Sequence, residues 1–168
     1  MPVLSVPVLV VTAGSLVATI VDIRTRRIPN RLTLTMAGVG MTAAALGISG
    51  VSTRAAVFGL MVGLALMMPG YLLGATGAGD VKLMGAIGAI VGPAMVLTAF
   101  LFSAIAGGVL AAAVAIRRKR LADTLAGTGR LIAAPSSARQ EFRAAHAARR
   151  FAYGPAIAAG SIVAVLFG

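Results

Sequence analysis

Residues 21–33 read VDIRTRRIPNRLT, and residues 74–86 read GATGAGDVKLMGA. Each stretch sets one aspartate, Asp22 or Asp80, against an apolar run. The chain has only two other acids, Asp123 and Glu141, and both lie in a basic polar stretch. A carboxylate at bilayer depth is costly and persists mainly at functional positions. Two of them in one small membrane protein suggest a pair, and a pair of aspartates suggests acid–base hydrolysis.

The membrane assignment follows from composition. Of the 168 residues, 59% are hydrophobic and 11% are charged, whereas a soluble domain carries about 25% charged residues. A membrane-crossing helix needs about 20 apolar residues. On that basis the chain reads as an all-α, polytopic membrane protein with about six spans: 2–21, 32–49, 54–73, 81–91, 94–116 and 151–167. Residues 117–150 form a basic polar loop, and residues 1–168 make a single embedded domain. No positive charge precedes the first apolar run, so residues 1–21 read as a retained span and not as a cleaved signal.

The net charge of +11 raises nucleic acid as a partner. Its distribution argues against that. Thirteen of the fifteen Lys and Arg residues fall in 22–31 and 117–150, which flank apolar runs. Cytoplasmic loops look like this under the positive-inside rule, so the expected partner is the lipid bilayer of a cell's cytoplasmic membrane. With the N-terminus outside, loops 22–31, 74–80 and 117–150 all face the cytoplasm. The absence of cysteine rules out disulfides and a thiolate nucleophile, and His146 is the single histidine. No metal and no cofactor is expected from such a ligand set.

The fourth span is short. Its break at Gly92-Pro93 leaves eleven residues, 81–91. Irregular backbone such as GATGAG is tolerated at membrane depth only in a wet cavity or inside protein. Asp80 is therefore expected in a water-accessible pocket, with Gly74, Gly77 and Gly79 allowing another backbone to approach. An extended substrate beside this turn could use its free backbone groups, as in strand addition. Gly59-xxx-Gly63 and Gly70-xxx-Gly74 read as close helix packing inside one monomer. Pro69-Gly70 marks a kink near the end of the third span.

Simpler roles exist for each acid. Asp80 could be the N-cap of the fourth helix. Asp22 could be an interfacial residue balanced by Arg24, Arg26 and Arg27. Hydrolysis would need both: one carboxylate ionised to take a proton from water, the other protonated to polarise a peptide carbonyl. Such a dyad titrates as one coupled unit. A proton- or cation-coupled transporter component is the alternative, since intramembrane acids also mark ion pathways. A non-catalytic assembly factor is a third class.

Asp22-Ile-Arg-Thr-Arg-Arg-Ile-Pro-Asn30 resembles the D-x-R-x-x-x-I-P-N element of type IV prepilin peptidases. Gly77-Ala-Gly-Asp80-Val-Lys82 resembles their G-x-G-D-x-K element, whose G-x-G-D part is shared with presenilin-type intramembrane proteases. The 58-residue separation of Asp22 and Asp80 (80 minus 22) holds two spans, as in that family. Phe151-Ala-Tyr-Gly154-Pro155-Ala-Ile resembles its late element on the last helix. The resemblance implies a GxGD aspartyl protease that removes the basic leader from prepilins or pilin-like proteins at the cytoplasmic membrane face, typically after a glycine. Asp22 and Asp80 would be its catalytic pair. It also marks Arg24, Pro29, Asn30, Gly77, Gly79, Lys82, Gly154 and Pro155 as motif support or substrate contacts. Read from the residues alone, Asn30 suits a cap for the second span, Lys82 and Arg24 suit lipid headgroups, and Tyr153 and Phe151 suit an interfacial aromatic belt. The short, cysteine-free chain looks like the peptidase-only type of Flp/Tad pili. Its oligomeric state stays open.

Overall fold

A computed structural model describes residues 5–117 and 153–167. The basic loop, with Asp123, Glu141 and His146, and Phe151 lie outside the described residues. All regular structure among the described residues is helical. The elements are α1 (Val6–Thr25), α2 (Asn30–Ala45), α3 (Thr53–Leu72), α4 (Ala78–Arg117) and α5 (Gly154–Phe167).

Three helices are long and apolar enough to cross a membrane: Val6–Thr25, Thr53–Leu72 and Ala78–Val114. Their outer faces carry large exposed apolar side chains such as Leu16, Ile20, Phe58, Met61, Leu101 and Ile105. A solvent-facing protein surface does not expose so continuous an apolar face, but a lipid-facing one does. The expected break in α4 is present. Gly92 has φ 81° and ψ 177°, a conformation that only glycine adopts readily. Pro93 follows it and cannot donate to the turn before.

The two arms of α4 run in opposite directions. A straight helix would place residues 80 and 107 about 40 Å apart, at about 1.5 Å per residue. Yet Tyr153 packs on Gly107, while its neighbour Gly154 binds Asp22, whose following segment meets Gly79 through Ile28. The second arm is antiparallel to α5: Gly107 meets Tyr153, and Ser103 meets Gly160.

The first arm, 78–91, is the centre of the bundle. Leu83, Met84, Ile87 and Ile90 are almost wholly buried, as expected of a helix that is apolar on every side. Gly59 and Gly63 of α3 lie against the backbone of Gly88 and of Met84-Gly85. A Cβ at Gly59 would collide with the Gly88 carbonyl. The Gly59-xxx-Gly63 pattern thus serves packing within the chain, as expected.

Several boundaries differ from the sequence reading. The first helix continues past residue 21 to Thr25, so Asp22 is a helical residue and not the first residue of a loop. It shares a buried stripe with Val11, Ser15 and Ala18 at helical spacing. The second helix ends at Ala45, four residues before the expected end at 49. Gly47, at φ 71°, stops it. The Ile48 N–H donates to the Ala43 carbonyl and the Gly47 N–H to the Ala44 carbonyl, which is a Schellman stop. Gly74, at φ 78°, ends α3 in the same way. There the Ala75 N–H reaches Gly70 and the Gly74 N–H reaches Tyr71. Pro69 lies inside α3.

Candidate active site

Asp22 and Asp80 are both buried, at 6% and 7% exposure. Each is held at a helix N-terminus by one oxygen. The Gly154 N–H, at the start of α5, donates to Asp22 Oδ2 at 3.0 Å. The Gly77 N–H donates to Asp80 Oδ2 at 2.8 Å. The second oxygen of each carboxylate has no hydrogen-bond partner among the described residues. The positive ends of the two helix dipoles favour negative charge at both places.

The local reason for the Asp80 geometry is a half-formed capping box. Gly77 accepts the first helical bonds of α4 from Asp80 and Val81, so it is the N-cap. Asp80 stands three residues on, and its side chain reaches back to the Gly77 N–H. The simpler reading therefore holds in modified form: Asp80 does cap α4, but from inside the first turn. Asp22 differs, because it caps a helix 132 residues away in sequence.

The two acids belong to one site. Ile28 and Asn30, just after Asp22, meet Gly79 and Lys82, which flank Asp80, and Gly154 at the start of α5 binds Asp22. Tyr153 is half-buried, and its hydroxyl donates to the Ser103 carbonyl at 3.2 Å. It anchors α5 to the second arm of α4 and is not simply an aromatic of the membrane interface. Pro155 sits in the first turn of α5, where a missing N–H does least harm.

The two motifs also touch directly. Gly79 lies against Ile28, and a Cβ on it would come within 2.9 Å of the Ile28 Cβ. Lys82 Nζ donates to Asn30 Oδ1 at 2.8 Å. This corrects two readings. Asn30 does not cap α2: Pro29 stands at the N-cap, Asn30 is the first helical residue, and its side chain serves Lys82. Lys82 points at a protein partner as well as at the surface. Arg24 is exposed in the last turn of α1 and has no ion-pair partner among the described residues.

The glycine-rich turn also departs from expectation. Four of its six N–H groups are already engaged, which leaves fewer free for strand addition than expected. Ala75 and Thr76 donate to Gly70, Gly74 donates to Tyr71, and Gly77 donates to Asp80. Sequence reasoning missed Ile28 as the partner of Gly79, although an apolar residue inside RTRRIPNR was a signal that this loop packs inward.

A family model for the type IV leader peptidase family matches residues 9–112. The chain belongs to that family. The match spans both aspartate motifs and stops short of Gly154. Neither a curated protein nor a solved structure matches the chain. Family membership makes it a membrane-bound leader peptidase in general type.

Proposed function

We propose that this leader peptidase is an aspartic endopeptidase of the cytoplasmic membrane. It removes the basic leader of a type IV prepilin or pilin-like precursor at the cytoplasmic face. Asp22 and Asp80 act as a catalytic dyad. The single observation that carries this reading is the meeting of the two motifs, through Gly79 on Ile28 and Lys82 on Asn30, each motif holding a buried carboxylate with one oxygen tethered and one unpartnered.

The chemistry follows from that arrangement. The ionised member takes a proton from a water held between the acids. The resulting hydroxide attacks the scissile carbonyl, while the protonated member donates its hydrogen to the carbonyl oxygen. The tetrahedral intermediate then collapses, and a proton passes from the dyad to the leaving amine. Tethering one oxygen of each acid fixes its rotamer, so orientation costs little at the moment of reaction. Burial excludes bulk water and strengthens the interaction of the two groups.

The topology that fits is six helical runs, counting the two arms of α4 separately. The ends of α1 and α3 and the starts of α2, α4 and α5 would then face the cytoplasm. Thirteen of fifteen basic residues would lie on that side. The test is cleavage of a pilin precursor by purified protein. Asp22→Asn and Asp80→Asn should each abolish it and leave the fold intact, because an amide can neither accept nor share the proton. Cleavage retained by either variant would sink the dyad.

A further inference from the structure

We infer that Lys82 is a positioning residue, which latches the Asp80 helix to the segment after Asp22 through Asn30. The inference rests on the dyad reading and adds a residue whose role that reading leaves open.

Three observations carry it. Lys82 Nζ and Asn30 Oδ1 are 2.8 Å apart across 52 residues of sequence. Gly79 and Lys82 lie three apart on α4, so they share one face. That face meets Ile28 through Gly79 and Asn30 through Lys82. The third observation concerns packing. The first arm of α4 packs heavily on α3, whereas α1 and α4 share few direct contacts. The relative placement of Asp22 and Asp80 is therefore set through α5, which packs on both α1 and α4, and through the ties between residues 28–30 and residues 79–82.

Lys82 does not serve the dyad directly. Two residues along a helix turn the side chain by about 200°, at about 3.6 residues per turn. Accordingly Asp80 is buried and Lys82 exposed. An exposed hydrogen bond of this kind contributes little to stability. Its effect should appear in the rate, because a shift of about 1 Å in a reacting group can cost about a hundredfold. A residue that mattered only for folding would show the opposite pattern.

The chain has no cysteine, which allows a direct readout. The Ile28 Cβ lies 2.9 Å from where a Cβ on Gly79 would stand, and a small adjustment reaches disulfide spacing. Ile28→Cys with Gly79→Cys, in full-length protein in nanodiscs, should cross-link under mild oxidant once the two segments yield by about 1 Å to a Cβ spacing of about 3.8 Å. Adding Lys82→Met should slow cross-linking on the order of tenfold, as the tethered segments separate. Equal rates with and without Lys82 would overturn the latch.

The kinetic arm uses a pilin precursor. Lys82→Met and Asn30→Ala should each lower kcat on the order of tenfold to a hundredfold, with KM and thermal midpoint nearly unchanged. The double variant should be no worse than the poorer single one, and Lys82→Arg should retain most of the rate. Multiplied losses, a loss confined to KM, or a loss that vanishes in membranes of another headgroup would each overturn the latch, the last two in favour of substrate or lipid contact. Cleavage by Asp22→Asn would instead remove the dyad reading, and the cross-linking rates would still decide the latch.

Discussion

Replacing Gly154 by alanine isolates the contact that orients Asp22. The substitution adds one methyl group at the start of α5. That Cβ would stand 2.8 Å from Asp22 Oδ2, 3.1 Å from its Cβ and 3.2 Å from its Cγ. All three are tighter than ordinary contact, so the carboxylate must retreat by about half an ångström. The Gly154 N–H to Oδ2 bond, 3.0 Å in the native chain, is stretched or lost. A hydrogen bond to a charged group contributes about 1.5–3 kcal/mol. If that much orientation is lost at the transition state, cleavage falls about 10- to 150-fold at about 1.4 kcal/mol per decade. Backbone conformation does not confuse the result, because Gly154 is helical and has no positive φ. Gly38→Ala is the matched control: it is also a helical glycine, and nothing lies within 4 Å of its added Cβ. The assay is single-turnover cleavage of a pilin precursor, with thermal unfolding measured alongside. Gly154→Ala that folds normally and cleaves at the native rate would refute the claim that this N–H positions Asp22.

Other outcomes follow from the same geometry. Gly79→Ala should reduce cleavage more than Gly77→Ala, since its Cβ would approach Ile28 to 2.9 Å while that of Gly77 approaches Asp80 Oδ2 only to 3.3 Å; the reverse order in the same assay would count against the docking of the two motifs. Activity should survive EDTA, because the whole chain has one histidine and no cysteine; loss with EDTA and rescue by a divalent ion would replace the dyad with a carboxylate-bound metal. In intact cells an impermeant thiol reagent should label Ile48→Cys and spare Arg27→Cys, and the opposite labelling would invert the topology. Ile48 is the better outer probe than Gly50, whose φ of 72° would strain a side chain.

Much of this site was legible in the sequence, and the gaps have physical causes. Asp22 and Asp80 stood out because acids are rare in apolar surroundings. Gly92-Pro93 was legible because the pair removes both a helical φ preference and a donor. The stop at Gly47 was not: in a run rich in Gly and Ala, a left-handed glycine looks like one more small packing residue. The end of α1 was misjudged for a related reason. Arg24 and Thr25 are polar, so the helix seemed to finish with the apolar run. Its backbone continues nonetheless, with the Thr25 hydroxyl bonded to the Val21 carbonyl and the Arg26 N–H to the Asp22 carbonyl. Hydropathy reports where lipid begins, and backbone hydrogen bonding decides where the helix stops. The pairing of Lys82 with Asn30 was beyond reach, since no local pattern ties residues in separate helices.

The three glycines of the site share a physical role that none shows alone. Gly77 leaves its N–H open to Asp80, Gly154 leaves its N–H open to Asp22, and Gly79 lets Ile28 reach the α4 backbone. At Gly79 and Gly154 the missing Cβ creates an approach that a side chain would block, and at Gly77 it relieves a tighter-than-ordinary contact with Asp80 Oδ2. α1 and α4 share few direct contacts, so their register also depends on α5 and on these close approaches. Ordinary helix packing distances of about 8–10 Å are set by side chains. Where backbone must meet carboxylate, that spacer has to go. On the proposed dyad reading, the motif glycines are part of the same device as the aspartates: the acids would supply the proton chemistry, and Gly154 and Gly77 donate an N–H to one oxygen of each while the other stays unpartnered.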